Sequence, residues 1–350
     1  MKIRESILKL GNYKPPLEGR NPKDFLLMDF NESPLPPPAH VIEALVKYIQ
    51  DNRLQTYPAY GDFLALLGDY VAIDPGHLML TNGSDQGIDI SLRALLNEGD
   101  EMLMAQPGFA MFFQIAGTLG ARIVSPQYRS DMSFPFEEIM EAVNPRTRLV
   151  VVINPNNPTG TSASLDQIRI LLESFPETAI LVDEAYFEFT QHTCLSLLSE
   201  HQNLIIVRTF SKAFAIPSLR LGYVIAHPSF IGQLYKIRGP YDVNMVSLVA
   251  ARAQLEQPAK WQTMIQEIME EAKPMLEQFF KEQGIRFYPG EANFMLVEPD
   301  NVKEVIEFLK NRKILVRPMR APIAQTFRVS LGMTEQTQCF IDAYSDYLKI

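Results

Sequence analysis

Seven short, almost uninterrupted apolar runs between positions 77 and 226 constrain the fold of this chain more than any other feature. They are HLMLT (77–81), EMLMA (101–105), ARIVSP (121–126), RLVVVI (148–153), AILVD (179–183), LIIVRTF (204–210) and LGYVIA (221–226). A strand with one wet face alternates apolar and polar residues. A run that is apolar throughout needs cover on both faces, which a mostly parallel sheet between helices provides. The intervals agree: SDQGIDISLRALLNEG (84–99), FAMFFQIAGTLG (109–120) and LDQIRILLESF (165–175) read as helices, the first with Ile88, Leu92, Leu95 and Leu96 at near-helical spacing. The spacing predicts an α/β fold with a mostly parallel central sheet covered by helices.

After RGPYDVN (238–244) the texture changes. A long helical stretch, expected to be broken by Pro258 and Pro274, runs through WQTMIQEIMEEAKPMLEQFFKEQG, followed by strand-like NFMLVE (293–298), ILVRP (314–318) and FRVSLG (327–332). This predicts a smaller α+β domain over 238–350, beside a large domain over 35–237. Residues 1–34 read as an N-terminal arm and extended segment. The Pro-rich NESPLPPPAH, restricted to extended backbone, is expected to cross the surface between the domains. A length of 350 residues exceeds the usual size of one core, in keeping with this division.

Composition excludes several classes of function. Lys and Arg total 32 against 41 Asp and Glu, a net charge of −9 that disfavours nucleic acid or an anionic membrane as the main partner. No apolar run approaches a membrane-spanning length, and the start lacks the apolar core of a signal peptide. Cys194 and Cys339 lie far apart, and the five histidines are scattered. Neither a disulfide framework nor a metal site is expected, and a reducing cytoplasm fits.

Four stretches fall at or just after the carboxyl ends of the apolar runs, where open α/β sheets place their ligands. TNGSDQG (81–87) is either a plain turn with an N-cap or a helix start whose N–H groups receive an anion. INPNNPTG (153–160) is either a rigid loop or a source of amide donors. In LVDEAYFEF (181–189), Asp183 ends a fully apolar strand, so it needs a salt-bridge partner or a cofactor with a protonated nitrogen. TFSKAFAIPSLRLGY (209–223) adds Lys212 and Arg220. A phosphorylated aldehyde cofactor requires an imine-forming lysine, an acid for the ring nitrogen, donors to the ring oxygen and a cationic nest for the phosphate. Lys212 fits the first part, Asp183 the second, Asn157 and Tyr186 the third, and Ser84, Ser211 and Arg220 the fourth.

These motifs resemble those of fold-type I pyridoxal-phosphate enzymes, most closely the histidinol-phosphate aminotransferase family. The matching pieces are DFNESP (29–34), TYP (56–58), NGSD, NPNNPTG, VDEAYFEF, RTFSKAF, LRLGY, PYDVN, EANFMLV, ILVRPM and FRVSLG, collinear from about residue 29 to 332. The resemblance implies a pyridoxal 5′-phosphate cofactor and makes Lys212 its covalent partner and the proton shuttle. It adds Asp85 to the phosphate set and sets Phe109 against the ring, where relatives often carry a tyrosine. It also implies a homodimer with shared active sites, in which Tyr57 reaches the neighbouring subunit's cofactor phosphate; a turn tyrosine is the alternative.

At the substrate end, Arg328 resembles the family arginine that receives a phosphate or a carboxylate. Arg317 and Arg320 stand close enough in sequence to add charge, and Tyr13 either contacts substrate phosphate or packs the arm. The expected activity is transfer of an amino group between the glutamate and 2-oxoglutarate pair and histidinol phosphate. AIPSL (215–219) departs from the Gly-Leu-Ala-Gly of many relatives and is similar to threonine-phosphate decarboxylases. That decarboxylation, an aromatic amino-acid aminotransferase, or a regulatory protein retaining the fold without turnover are the rival readings.

Overall fold

The computed structural model describes residues 1–51 and 53–350. In chain order its strands are β1 (Leu26–Met28), β2 (Leu78–Thr81), β3 (Glu101–Met104), β4 (Arg122–Val124), β5 (Thr147–Ile153), β6 (Ala179–Asp183), β7 (Leu204–Thr209), β8 (Gly222–Ala226), β9 (Arg286–Tyr288), β10 (Phe294–Glu298), β11 (Ile314–Pro318) and β12 (Phe327–Ser330). They form a seven-stranded sheet in the order β2-β8-β7-β6-β5-β3-β4 and a five-stranded sheet in the order β1-β11-β12-β10-β9.

All seven apolar runs enter the larger sheet. Pairing is parallel from β4 through β3, β5 and β6 to β7, and only β8 runs against its neighbours. Successive side chains of these strands feed opposite faces. Val150, Val152, Ile180, Val182 and Ile206 enter one core, while Leu149, Val151, Leu181, Ile205 and Val207 enter the other. Burying each such side chain contributes about 1.5–3 kcal/mol, so a polar residue at most of these positions would be costly. The expected helices appear as Ser84–Leu95, Ala110–Leu119 and Leu165–Ser174, the last opened by a capping box between Ser164 and Gln167.

Two expectations need correction. Pro258 does mark a helix start, but Pro274 does not break the helix. Ala259–Gln266 continues through the π-helical turns Glu267–Ala272 into Lys273–Glu282. Wider π turns shift the hydrogen-bond ladder just ahead of the proline, which makes no N–H bond and needs room for its ring. The Pro-rich segment is irregular, but it does not simply cross the surface. Its first residue, Asn31, is buried, as is Asp29 ahead of the segment, and Asn31 N–H donates to Ser330 Oγ on β12. The two short strands β1 and β9 and the helices Ala39–Gln50, Gly61–Val71 and Phe136–Ala142 were not anticipated.

The two sheets are tied together at a glycine contact. A Cβ on Gly160, in the loop after β5, would stand 2.7 Å from Gly290 Cα, in the loop before β10. Both glycines have positive φ, and Glu291 N–H donates to Gly160 O across the contact at 2.8 Å. The loop carrying Asn157 is thereby held against the smaller sheet.

Candidate active site

A cleft of about 210 Å³ opens at the carboxyl ends of β2, β5, β6 and β7, lined by Ser84, Asp85, Phe109, Asn157, Asp183, Tyr186, Ser211, Lys212 and Arg220. Nine sequence-derived candidates from five separate stretches therefore meet in one place. Phe30, Glu32 and Thr209 line it as well.

One end is an anion cradle. The helix Ser84–Leu95 begins after Gly83 at φ 76°, so its first N–H groups lack partners within the helix. A Cβ on Gly222 would lie 2.5 Å from Ser84 N, and one on Gly83 would lie 2.5 Å from Arg220 Nη2. Only glycine at both positions lets the helix start, β8 and the guanidinium approach this closely. Arg220 donates to Asp85 Oδ2 at 2.9 Å and, more weakly, to Ser211 Oγ at 3.5 Å. The dipole of a twelve-residue helix adds to the attraction for an anion.

Asp183 closes β6 beneath the cleft. Its Oδ1 accepts from Ala185 N–H at 3.1 Å, while Oδ2 has no partner among the described residues. Burial pushes this carboxyl up to about 7, against the Ala185 hydrogen bond. Lys212 Nζ donates to the Phe30 carbonyl at 3.0 Å. Desolvation and the neighbouring Arg328 push its ammonium down to about 8, against the pull of Glu32 and Asp85. A buried acid short of partners and a lysine whose ammonium is weakened by burial suit a cofactor with a cationic ring nitrogen and a carbonyl that takes an amine. Together with the cradle, the donor set fits pyridoxal phosphate.

Tyr186 is buried against Phe294, with ring centroids 5.1 Å apart, and its hydroxyl accepts from Asn157 Nδ2 at 3.1 Å. Burial raises the phenol's pKa, while Arg328 and two asparagine donors lower it. Arg328 binds Asn157 Oδ1 through Nη1 and the Asp29 carbonyl at 2.7 Å through Nη2. Desolvation pushes it down to about 10.

Arg317 stands opposite Arg328 in the β11–β12 register, its guanidinium 4.8 Å from the Phe30 ring centroid. Arg317 Nη1 and Arg328 Nε are both buried without a hydrogen-bond partner among the described residues. Tyr13 is half-buried and does not line the cleft. Arg320 is exposed and makes no side-chain hydrogen bond among the described residues. Tyr57 does not line its own chain's cleft; it is 77% exposed and stacked on Tyr241 at 4.4 Å.

Sequence reasoning left several neighbours without a role. Arg20 pairs with Asp29 at 2.6 Å and with Glu32 at 2.6 Å, bracing the segment that carries Phe30. Asn31 reaches the Tyr186 hydroxyl at 2.9 Å. DFNESP sets four polar residues around an aromatic and ahead of a proline, which marks the segment but assigns Asn31 no role.

The chain matches the family model described as aminotransferase class I and II over residues 23–339. It is 32% identical over 350 residues to histidinol-phosphate aminotransferase 1 of Carboxydothermus hydrogenoformans, covering 99% of this chain and 98% of the relative. It is 30% identical over 334 residues to a dihydroxyacetone phosphate transaminase of Campylobacter jejuni, covering 93% and 91%. Its fold is similar to that of the histidinol-phosphate aminotransferase of Sinorhizobium meliloti solved with pyridoxal-5′-phosphate, with TM-score 0.89, 21% identity, and coverage of 99% and 98%.

Proposed function

The chain belongs to the class I and II aminotransferases, enzymes that work with pyridoxal 5′-phosphate, and within that family we propose that it is a histidinol-phosphate aminotransferase using the glutamate and 2-oxoglutarate pair. The observation that carries this reading is the pair of orphaned guanidinium donors, Arg317 Nη1 and Arg328 Nε. An unsatisfied buried donor costs about 1–3 kcal/mol. Two such donors, on side chains facing each other across β11 and β12, are best relieved together by a dianion with several acceptor oxygens, such as a phosphomonoester.

On this reading Ser84, Ser211, Arg220 and the backbone N–H of Asp85 hold the cofactor phosphate, and Phe109 packs on the ring. Asp183 holds the ring-nitrogen proton, since a cation beside it favours its ionised form. Asn157 and Tyr186 donate to the ring oxygen. When bound, the cofactor supplies a carbonyl carbon that takes amines and a cationic ring that withdraws electrons from the substrate Cα. Lys212 would hold the cofactor covalently and would move the proton at the substrate Cα, and its lowered pKa suits a base at that position. Arg317 and Arg328 orient the substrate phosphate, with Tyr13 beside them.

The proposed assembly is a homodimer in which Tyr57 completes the neighbouring subunit's phosphate site. Its support is the exposure of Tyr57 outside its own cleft, and an apolar stripe of Ile42, Val46 and Ile49 on the open face of Ala39–Gln50.

A second reading shares the phosphate logic. The Campylobacter jejuni relative is named for dihydroxyacetone phosphate, a smaller phosphomonoester that the same two arginines could orient. Incubation of cofactor-loaded protein with histidinol phosphate and 2-oxoglutarate, with glutamate formation as the readout, tests the first reading. Turnover only of dihydroxyacetone phosphate with an amino donor selects the second. Turnover only of phosphate-free aromatic amino acids, or carbon dioxide release from threonine phosphate, would overturn both.

A further inference from the structure

Two asparagine side chains converge on the Tyr186 hydroxyl, Asn157 Nδ2 at 3.1 Å and Asn31 Nδ2 at 2.9 Å. The surroundings fix which end of each amide faces the tyrosine. Asn157 Oδ1 accepts from Arg328, which has only donors, so the amide nitrogen must turn the other way. Asn31 is held by Ser330. The Asn31 backbone N–H donates to Ser330 Oγ at 2.8 Å, leaving the serine proton free, and that proton goes back to Asn31 Oδ1 at 2.9 Å. Turned over, the Asn31 amide would strand the serine proton in a site where Ser330 is 3% exposed. Arg328 and Ser330 are two residues apart on β12, so one face of one strand sets both amides. Asn31 is fully buried with φ 55°, a left-handed backbone that asparagine tolerates better than most residues.

We propose that Asn31, clamped by Ser330, is a positioning residue for the reaction, making the Tyr186 hydroxyl an obligate donor toward the cleft. A phenol oxygen has two lone pairs and one proton. With amide N–H groups on both lone pairs, the proton is left for the cleft side, where the cofactor ring oxygen is to be bound. Asn31 does not itself line the cleft, so it acts only through Tyr186. The inference rests on the reading of Tyr186 as the ring-oxygen donor.

The test is a double-mutant cycle of Asn31→Ala and Tyr186→Phe with two readouts. One is the pH midpoint of the bound cofactor's absorbance change. The other is the affinity of cofactor-free protein for pyridoxine 5′-phosphate, which keeps the ring oxygen and phosphate but lacks the aldehyde. Each single substitution is expected to move the midpoint upward by at least about 0.5 pH unit, because losing a donor disfavours the anionic oxygen. The double variant is expected to move it no further than Tyr186→Phe alone. Asn31→Asp, the same size but an acceptor, takes the tyrosine proton and is expected to weaken analogue binding about tenfold, as Tyr186→Phe does. Ser330→Ala frees the Asn31 amide and gives an intermediate shift; it carries the test if Asn31→Ala does not fold. Full additivity in the cycle, or an unmoved midpoint in Ser330→Ala together with Asn31→Ala or Asn31→Asp, overturns the proposal. If Tyr186→Phe alone changes neither readout, the reading of Tyr186 falls first and this inference with it.

Discussion

Arg317 and Arg328 are paired directly across the antiparallel strands β11 and β12, two like charges in one register position. Like charges so placed repel, and Arg317 is one cause of the lowered Arg328 pKa. An anion between them removes that penalty. Inorganic phosphate is therefore expected to raise the melting temperature of the cofactor-loaded protein, and Arg317→Ala is expected to abolish the rise. Arg317→Ala should also raise KM for histidinol phosphate about 10- to 100-fold, the worth of one charged hydrogen bond. An Arg317→Ala protein with unchanged KM would remove this arginine from the substrate site.

Asp183 gives the cofactor-free protein a pH dependence of the opposite sign to the usual carboxylate. Its folded pKa, about 7, lies above the ordinary 3.8, so between those values the folded state holds the extra proton. Stability therefore falls as pH rises through that window, and the full cost is present above about pH 7. Asp183→Asn is expected to stabilise the cofactor-free protein at pH 7.5 by up to about 4 kcal/mol, while lowering transaminase activity by orders of magnitude. Denaturant unfolding of the two cofactor-free proteins at pH 5 and 7.5 checks the sign. Equal stability at both values would show that the buried acid carries no such cost.

The cradle makes a prediction about glycine. A Cβ at Gly222 meets the backbone at Ser84 N and Gly83 C, at 2.5 and 2.7 Å, and backbone does not swing aside as a side chain can. Gly222→Ala is expected to cost about 2–4 kcal/mol of stability and to weaken pyridoxal phosphate retention at least tenfold. Gly61→Ala, with open space around its Cβ at the start of a helix, is expected to be neutral or stabilising by about 0.4–1 kcal/mol. Equilibrium dialysis of cofactor and thermal melts separate the two. Matching behaviour would mean that the close approach at Gly222 has no role in binding.

How much of this was visible in the sequence follows the physics of each element. Strands buried on both faces exclude polar residues, so β5, β6 and β7 stand out as apolar runs. The three-residue edge strands β1 and β9 have partly exposed positions and are too short to show a period. Asp183, Lys212 and Arg220 stood out because the first ends such a run, the second follows one and the third directly precedes one. Asn31 was not, because its importance lies in the direction of one amide, set by Ser330, 299 residues away. Pro274 misled for a related reason: a proline signals a missing N–H, but whether the helix breaks depends on π turns that residue types do not announce.

The helix Ala39–Gln50 carries the remaining prediction. Val41 and Tyr48 are buried on its inner side, where it packs on Met245–Glu256. Ile42, Val46 and Ile49, at 47%, 46% and 51% exposure, form a second apolar stripe at helical spacing on the outer side. Such a stripe facing water is unfavourable unless another surface covers it. If a second copy covers it and Tyr57 then reaches the neighbouring cleft, the double substitution Ile42→Glu with Val46→Lys should halve the sedimenting mass and weaken cofactor retention together. Tyr57→Phe should weaken retention while leaving the mass unchanged, because only its hydroxyl is lost. Analytical ultracentrifugation with dialysis of the cofactor reads both. An unchanged mass in the double variant would show that the stripe is not the interface, and unchanged retention in Tyr57→Phe would free that tyrosine from the phosphate site.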